Sequence, residues 1–161
     1  MDGGPNIMAA ISRLDVLCPA GYAMALHIRY TTPKFLFQTY NAQWREEYSK
    51  KGLVLQDPTV SWGFENTGTI NWRDLKESDQ AGVLEQAKAY GIEYGFTLSL
   101  DRNNSKSITS FARGDREFSV TEIDEISEIV TDLHNYTADI DEFSSVELVQ
   151  LKQMSVDFTH G

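Results

Sequence analysis

The chain has 161 residues, 41% of them hydrophobic and 24% charged, with a formal net charge of −10 from 24 acidic and 14 basic residues. That length suits one main domain of roughly 100–200 residues, and the composition is that of a globular protein, not a disordered chain. An acidic surface repels phosphate, which sets nucleic acid and anionic lipid aside as partners of this stretch.

Met1-Asp2-Gly3-Gly4-Pro5 offers neither a basic nor an apolar region of a signal peptide. No apolar run approaches the roughly 18 residues that span a bilayer, so a cytoplasmic protein without membrane contact is expected. Ile7, Ile11, Leu14 and Cys18 follow helical spacing and predict an amphipathic first helix, stopped by Pro19-Ala20-Gly21. Cys18 is the single cysteine, which excludes an intramolecular disulfide and a thiolate metal cluster. Residues 22–30 read as a strand, with helix left open by Met24-Ala25-Leu26. After the turn Thr31-Thr32-Pro33, Phe35-Leu36-Phe37 is expected as a second strand, buried on both faces.

Asn41 is a helix cap, and Tyr40, Trp44 and Tyr48 recur every fourth residue, lining one side of a short helix and its approach. Asp57-Pro58 starts another helix, with Asp as cap and Pro at the first helical position. Residues 63–69 are expected as an irregular loop. Ser78 or Asp79 opens a helix with Val83, Leu84, Ala87 and Tyr90 on its apolar side, closed by Gly91. Residues 94–100 and 107–113 form a predicted hairpin across Asp101-Arg102-Asn103-Asn104. Ser119-Val120-Thr121-Glu122 is a capping box ahead of a long amphipathic helix through Ile123, Ile126, Val130, Leu133 and Ile140. An antiparallel sheet covered by helices on both faces, an α/β/α sandwich, buries all these apolar faces, and its layers can hold a pocket.

The segment from Tyr40 through Trp44 and Arg45 to Tyr48, followed by Asp57-Pro58-Thr59-Val60 and then Trp72, resembles the autoinducer-binding domain of LuxR-type quorum-sensing regulators. Ala89-Tyr90-Gly91-Ile92-Glu93-Tyr94-Gly95 resembles that family's helix-to-strand junction, and the likeness runs from about Tyr30 to Ala138. The resemblance implies the same sandwich fold and an acyl-homoserine lactone as ligand. That ligand presents one amide N–H, two carbonyls and an apolar tail, and each polar atom buried without a partner costs roughly 1–3 kcal/mol. By the resemblance, Asp57 accepts from the amide N–H, Trp44 donates to the lactone carbonyl and Tyr40 donates to the amide carbonyl. Tyr48 and Trp72 become pocket walls, Val60 is a further ligand-binding residue, Thr59 helps at the polar part, and Arg45 reaches a 3-oxo group through water. A small hydroxyl on the last strand completes the set: Ser110, or Thr109 if the register slips by one, since one residue reverses the face. The chain departs from the family at Ser99, where proline is common, and at the hairpin tip from Asp101 to Lys106, where glycines are common.

Plainer readings stand beside these. The aromatic trio also serves as core packing, Asp57 as an ordinary N-cap and Arg45 as a solvated helix charge. His27, His134 and His160 lie far apart without metal-ligand spacing and carry no assigned role. No phosphate loop, Gly-x-Ser-x-Gly turn or His-Glu-x-x-His is present, so no enzyme and no cofactor are expected. The sensory domain is expected over residues 1–140. Residues 141–161, with the capping box Ser144-Ser145-Val146-Glu147 and the closing Phe158-Thr159-His160-Gly161, resemble the incomplete start of a helix-turn-helix domain. The expected partners are the lactone, a second copy in a homodimer, and DNA only through the rest of that domain. The alternative is a stand-alone LuxR-like protein that acts through heterodimers or binds another small ligand.

Overall fold

Ile7, Ile11, Leu14 and Leu17 form the buried stripe of α1 (Ile7–Leu17) in the computed structural model, which describes residues 7–30 and 32–138. After Pro19 the chain enters β1 (Gly21–Arg29), where Tyr22, Met24 and Leu26 alternate onto a buried face, so residues 24–26 are strand and not helix. Gly21 has φ +104°, and a Cβ there would stand 2.9 Å from the Tyr40 ring, so glycine alone permits this approach. β2 (Thr32–Gln38) pairs antiparallel with β1 at one edge of the sheet. Phe35 and Phe37 pack on the core, whereas Leu36 is 53% exposed. The burial expected on both faces of this strand is therefore corrected to one covered face.

Asn41 caps α2 (Ala42–Lys50) as expected, its side-chain oxygen accepting from the N–H groups of Gln43 and Trp44. A 3-10 turn (Leu53–Gln56) leads to α3 (Pro58–Glu65), which Asp57 caps with Pro58 at its start. Residues 63–69 are not an irregular loop: α3 continues to Glu65, and β3 (Gly68–Asn71) follows and pairs with β4. Gly63 acts here as a contact residue and not as a helix breaker. A Cβ there would lie 2.7 Å from a methyl of Ile108, so the missing side chain lets helix and sheet touch.

A second 3-10 segment (Trp72–Ser78) precedes α4 (Val83–Ala87), which starts later than expected. Asp79 still caps it, its two carboxylate oxygens accepting from the N–H groups of Val83 and Leu84. A last 3-10 turn (Lys88–Tyr90) ends at Gly91, φ +78°. β4 (Tyr94–Arg102) and β5 (Ser105–Arg113) run further into the hairpin than expected, leaving only Asn103 and Asn104 at the tip. Both have positive φ, 58° and 56°, the two-residue turn geometry that asparagine tolerates. α5 (Val120–Ala138) opens on the expected capping box: Ser119 N–H donates to Glu122 at 2.8 Å, and Glu122 N–H donates back to the Ser119 hydroxyl at 3.1 Å. Ile140 and the features expected over residues 139–161 lie outside the described residues.

The five strands form one antiparallel sheet in the order β2-β1-β5-β4-β3. Alternation divides its side chains between two cores. Tyr22, Met24, Leu26, Phe96, Leu98 and Phe111 join α1 and α5 on one face. On the other face Ala112 joins a cluster with Trp44, Leu53, Trp72, Leu75 and Val83 from the segment between β2 and β4. This is the expected helix-covered sandwich. Leu14, Met24, Phe96 and Phe111 are fully buried, each contributing roughly 1.5–3 kcal/mol by leaving water.

Candidate functional site

The second core holds the polar residues singled out from sequence. α2 begins where Asn41 caps it, which sets Trp44 and Tyr48 one turn apart on the face toward α3. Their rings meet edge to face at 5.9 Å, and Trp44 also packs on Tyr90 at 5.6 Å. Trp44 is 5% exposed, and its indole N–H, which donates to no other described residue, keeps contact with solvent.

Asp57 sits at the N-terminus of α3 and faces Tyr48 across the gap. One carboxylate oxygen accepts from the Thr59 N–H at 2.8 Å and from the Thr59 hydroxyl at 2.7 Å. The other accepts from the Tyr48 hydroxyl at 2.7 Å. A carboxylate has about four lone-pair sites, so the helix cap and the tyrosine leave about one acceptor position. Burial pushes the Asp57 carboxyl above its ordinary value, against the opposing pull of the Thr59 and Tyr48 hydrogen bonds. Burial likewise raises both Tyr40 and Tyr48, with the Asp57 charge adding to each. Both phenols are thus held firmly in the protonated form that donates.

The sheet supplies the opposite wall. Thr97 on β4 and Ser110 on β5 are cross-strand partners whose hydroxyls lie 2.7 Å apart. The indole N–H of Trp72 donates to the Thr97 hydroxyl at 3.0 Å, so Trp72, Thr97 and Ser110 form a buried row. The Tyr40 hydroxyl donates to the Ser110 carbonyl at 3.3 Å, long for an O–H···O bond and readily exchanged. Ser110 and Thr109 fall on opposite faces: the Thr109 hydroxyl donates to the Leu98 carbonyl, away from this cluster.

The fold therefore brings Tyr40, Trp44, Tyr48, Asp57, Thr59, Trp72 and Ser110 to one side of the sheet. Arg45 Nε donates at 3.0 Å to the Tyr40 carbonyl and braces the approach to α2, one of the five N–H donors of its guanidinium. Val60 is half-buried on α3. Sequence reasoning missed Thr97, and named Tyr90 only as an apolar helix residue and Ser99 only as a departure from the family. Tyr90 donates to Glu47 at 2.9 Å while backing Trp44. Ser99 donates to the Gly63 carbonyl at 2.7 Å, and Lys106 donates to Gly63, Asn66 and Ser99 at 2.9, 2.9 and 3.0 Å. The two departures from the family pattern thus combine to pin the end of α3 onto the hairpin.

A separate cleft of about 180 Å³ lies beside Trp72 and is lined by Arg73, Lys76, Glu85, Lys88 and Glu93. Leu84 and Tyr94 line it as well. Among the described residues no His, Cys, Asp and Glu set is placed to hold a metal ion, and no helix is long and apolar enough to cross a membrane.

The chain is similar to known proteins in sequence and in fold. The family model of the autoinducer-binding domain matches residues 20–136. The transcriptional activator VanR of Vibrio anguillarum is 27% identical over 88 residues, 53% of this chain and 37% of that protein. The quorum-sensing regulator RhlR of Pseudomonas aeruginosa is 28% identical over 107 residues, 65% of this chain and 44% of that protein. The matches thus span less than half the length of either relative. A structure of SdiA in complex with octanoyl-rac-glycerol shares the fold with a TM-score of 0.62 at 19% identity, covering 94% of this chain and 71% of that one.

Proposed function

The chain belongs to the LuxR-type autoinducer-binding domain family, and from that premise we propose that it senses an acyl-homoserine lactone held between α2, α3 and the sheet. The observation that carries this reading is the match between free hydrogen-bonding capacity and the ligand's inventory. Asp57 keeps about one acceptor site for an amide N–H. Trp44 has a donor to give to a lactone carbonyl, and Tyr40 has a long bond to exchange for the amide carbonyl. Ser110, joined to Thr97, offers a hydroxyl from the sheet, while Thr59 serves by orienting Asp57. Tyr48, Val60 and Trp72 complete the walls, and Arg45 supports the loop that carries Tyr40. The chain is then the sensory part of a homodimeric, cytoplasmic transcription regulator that reaches DNA through a helix-turn-helix region.

A second reading is favoured by one specific neighbour: SdiA is solved with octanoyl-rac-glycerol, an acylated molecule without a lactone. The same face would then hold another acylated small ligand, in a protein that works through heterodimers. Thermal melting against a panel of homoserine lactones, from short to long chains with and without a 3-oxo group, and an octanoylglycerol separates the two. A cognate ligand at about 100 times its dissociation constant adds about 2.7 kcal/mol to the native state and raises the melting midpoint. A shift with lactones supports the first reading, a shift with the glycerol ester alone supports the second, and no shift with any ligand overturns both.

A further inference from the structure

On the sheet face opposite the ligand site, two histidines meet that the sequence leaves without a role. His27 lies where β1 shifts register against β5 between Ala25 and Ile28, and its φ is +56°, rare for a residue with a side chain. The irregularity breaks the strand alternation, so that Leu26 and His27 are both buried in succession. The His27 ring stacks on His134 of α5 with centroids 4.3 Å apart and planes at 35°.

All four ring nitrogens are partnered. His27 Nε2 lies 2.9 Å from the His134 carbonyl and 3.0 Å from the Thr137 hydroxyl, and its Nδ1 lies 2.6 Å from the Ser105 hydroxyl. His134 Nε2 lies 2.9 Å from the Arg102 carbonyl, and its Nδ1 lies 2.7 Å from the Ser107 hydroxyl. Carbonyl oxygens only accept, so both rings carry a proton on Nε2, and each Nδ1 accepts from a serine. The Ser107 hydroxyl also accepts from the His27 backbone N–H at 3.0 Å. This closed pattern requires both rings to be neutral. A second proton on either ring would face a serine hydroxyl that is already donating, and would force that hydroxyl to turn and find another acceptor.

Charge works in the same direction. The charged groups acting on His27 are His134 from α5 and Lys34 from β2, both cationic when protonated, and together with burial they hold the imidazole below its ordinary value. Lys34 also donates to the Thr137 carbonyl at 3.4 Å. From β4 the pair meets only the Arg102 carbonyl and from β5 two serine hydroxyls, while Lys106 reaches Gly63, Asn66 and Ser99 on the other side of the sheet. Asp101, beside Arg102, and Asp132, two residues before His134, are exposed.

We propose that the stacked His27–His134 pair is a proton-operated latch that holds the last turn of α5 on the sheet at neutral pH and releases it in mild acid. The turn it holds has Thr137 buried in it and ends α5 at Ala138. Since His27 binds its proton less readily folded than unfolded, the docking is complete above an imidazole's ordinary value of 6.5 and weakens as the pH falls below it.

The test is an NMR titration of the whole chain from pH 7.5 to 5, following the histidine ring signals and the backbone amides of residues 130–138. The latch predicts that these amides shift or broaden with the midpoint of the His27 ring, below 6.5. The amides of Thr97 and Ser110, on the opposite face, should stay still. In His27→Gln the amide can donate to the His134 carbonyl and accept from Ser105 without gaining charge, so the transition should disappear with α5 still docked at both ends of the titration. His134→Gln gives the same readout if His27→Gln does not fold. A transition that survives in either folded variant, or wild-type amides that ignore the ring titration, overturns the proposal. The wild-type experiment decides even if both variants fail to fold.

Discussion

Trp44 is where a single atom separates ligand chemistry from packing. Its ring is buried between Tyr48 and Tyr90, so the ring alone accounts for its share of the core. The N–H, bonded to no described residue, is left over from that account. Trp44→Phe keeps an aromatic ring and removes only the donor. The predicted loss of affinity for a lactone is roughly 1–3 kcal/mol, about 5- to 150-fold by titration calorimetry. An analogue without the lactone carbonyl should bind wild type and variant equally, and equal weakening of both ligands would make Trp44 a wall and not a donor. The residues that sequence exposed best are those whose partners are set by local spacing: Tyr40, Trp44 and Tyr48 on one helical side, and Asp57 at its own cap. Thr97 escaped because its meaning comes from a cross-strand partner thirteen positions away and from the indole of Trp72. Choosing between Ser110 and Thr109 likewise needed the hairpin register, which rests on a two-asparagine turn at the tip.

At the scale of elements, start signals were readable and interruptions were not. The caps of α2, α3 and α5 are local hydrogen bonds between residues two or three apart, so Asn41, Asp57 and the Ser119–Glu122 pair announce them directly. The 3-10 segment at Trp72 and the continuation of α3 through Gly63 depend on contacts with the sheet that no local pattern carries. The α5 box makes a pH prediction. Hydrogen bonds from Arg116, and then from the Ser119 N–H, hold the Glu122 carboxyl down at about 2, below its ordinary 4.5. A carboxyl depressed in the folded state contributes stability above its unfolded value, and that contribution is lost as pH falls from about 4.5 toward 2. Urea midpoints across that window should fall less steeply for Glu122→Gln than for wild type, and parallel curves would refute the assignment. The clamp at the other side makes a second prediction. Lys106→Met removes one of two donors from the Gly63 carbonyl, which keeps Ser99, and the ammonium from the exposed Asn66 carbonyl, and should destabilise the fold by about 0.5–1.5 kcal/mol in urea melts. An unchanged midpoint would mean that water replaces the ammonium without cost.

For the whole molecule the decisive quantity is its charge. The sandwich divides the work of its two faces: α1 and α5 cover a largely apolar core with the histidine pair at its edge, while the segment between β2 and β4 covers a face with Asp57 and the Thr97 and Ser110 hydroxyls. The formal charge of the chain is −10. Binding to DNA draws most of its affinity from phosphates neutralised by Lys and Arg, with release of counterions. Here Arg13, Lys51, Arg73, Lys88, Arg113 and Arg116 are already paired with carboxylates of the same chain. Each would have to give up such a partner before neutralising a phosphate, beneath a field that already repels the duplex. We therefore predict no measurable affinity of this polypeptide for a labelled DNA duplex in anisotropy titrations at physiological salt. Lowering the salt lengthens the reach of the repulsion as well as of any attraction, so binding should not emerge there either. Saturable binding that strengthens as salt is lowered would show that a cationic surface exists which this account of the charges has missed.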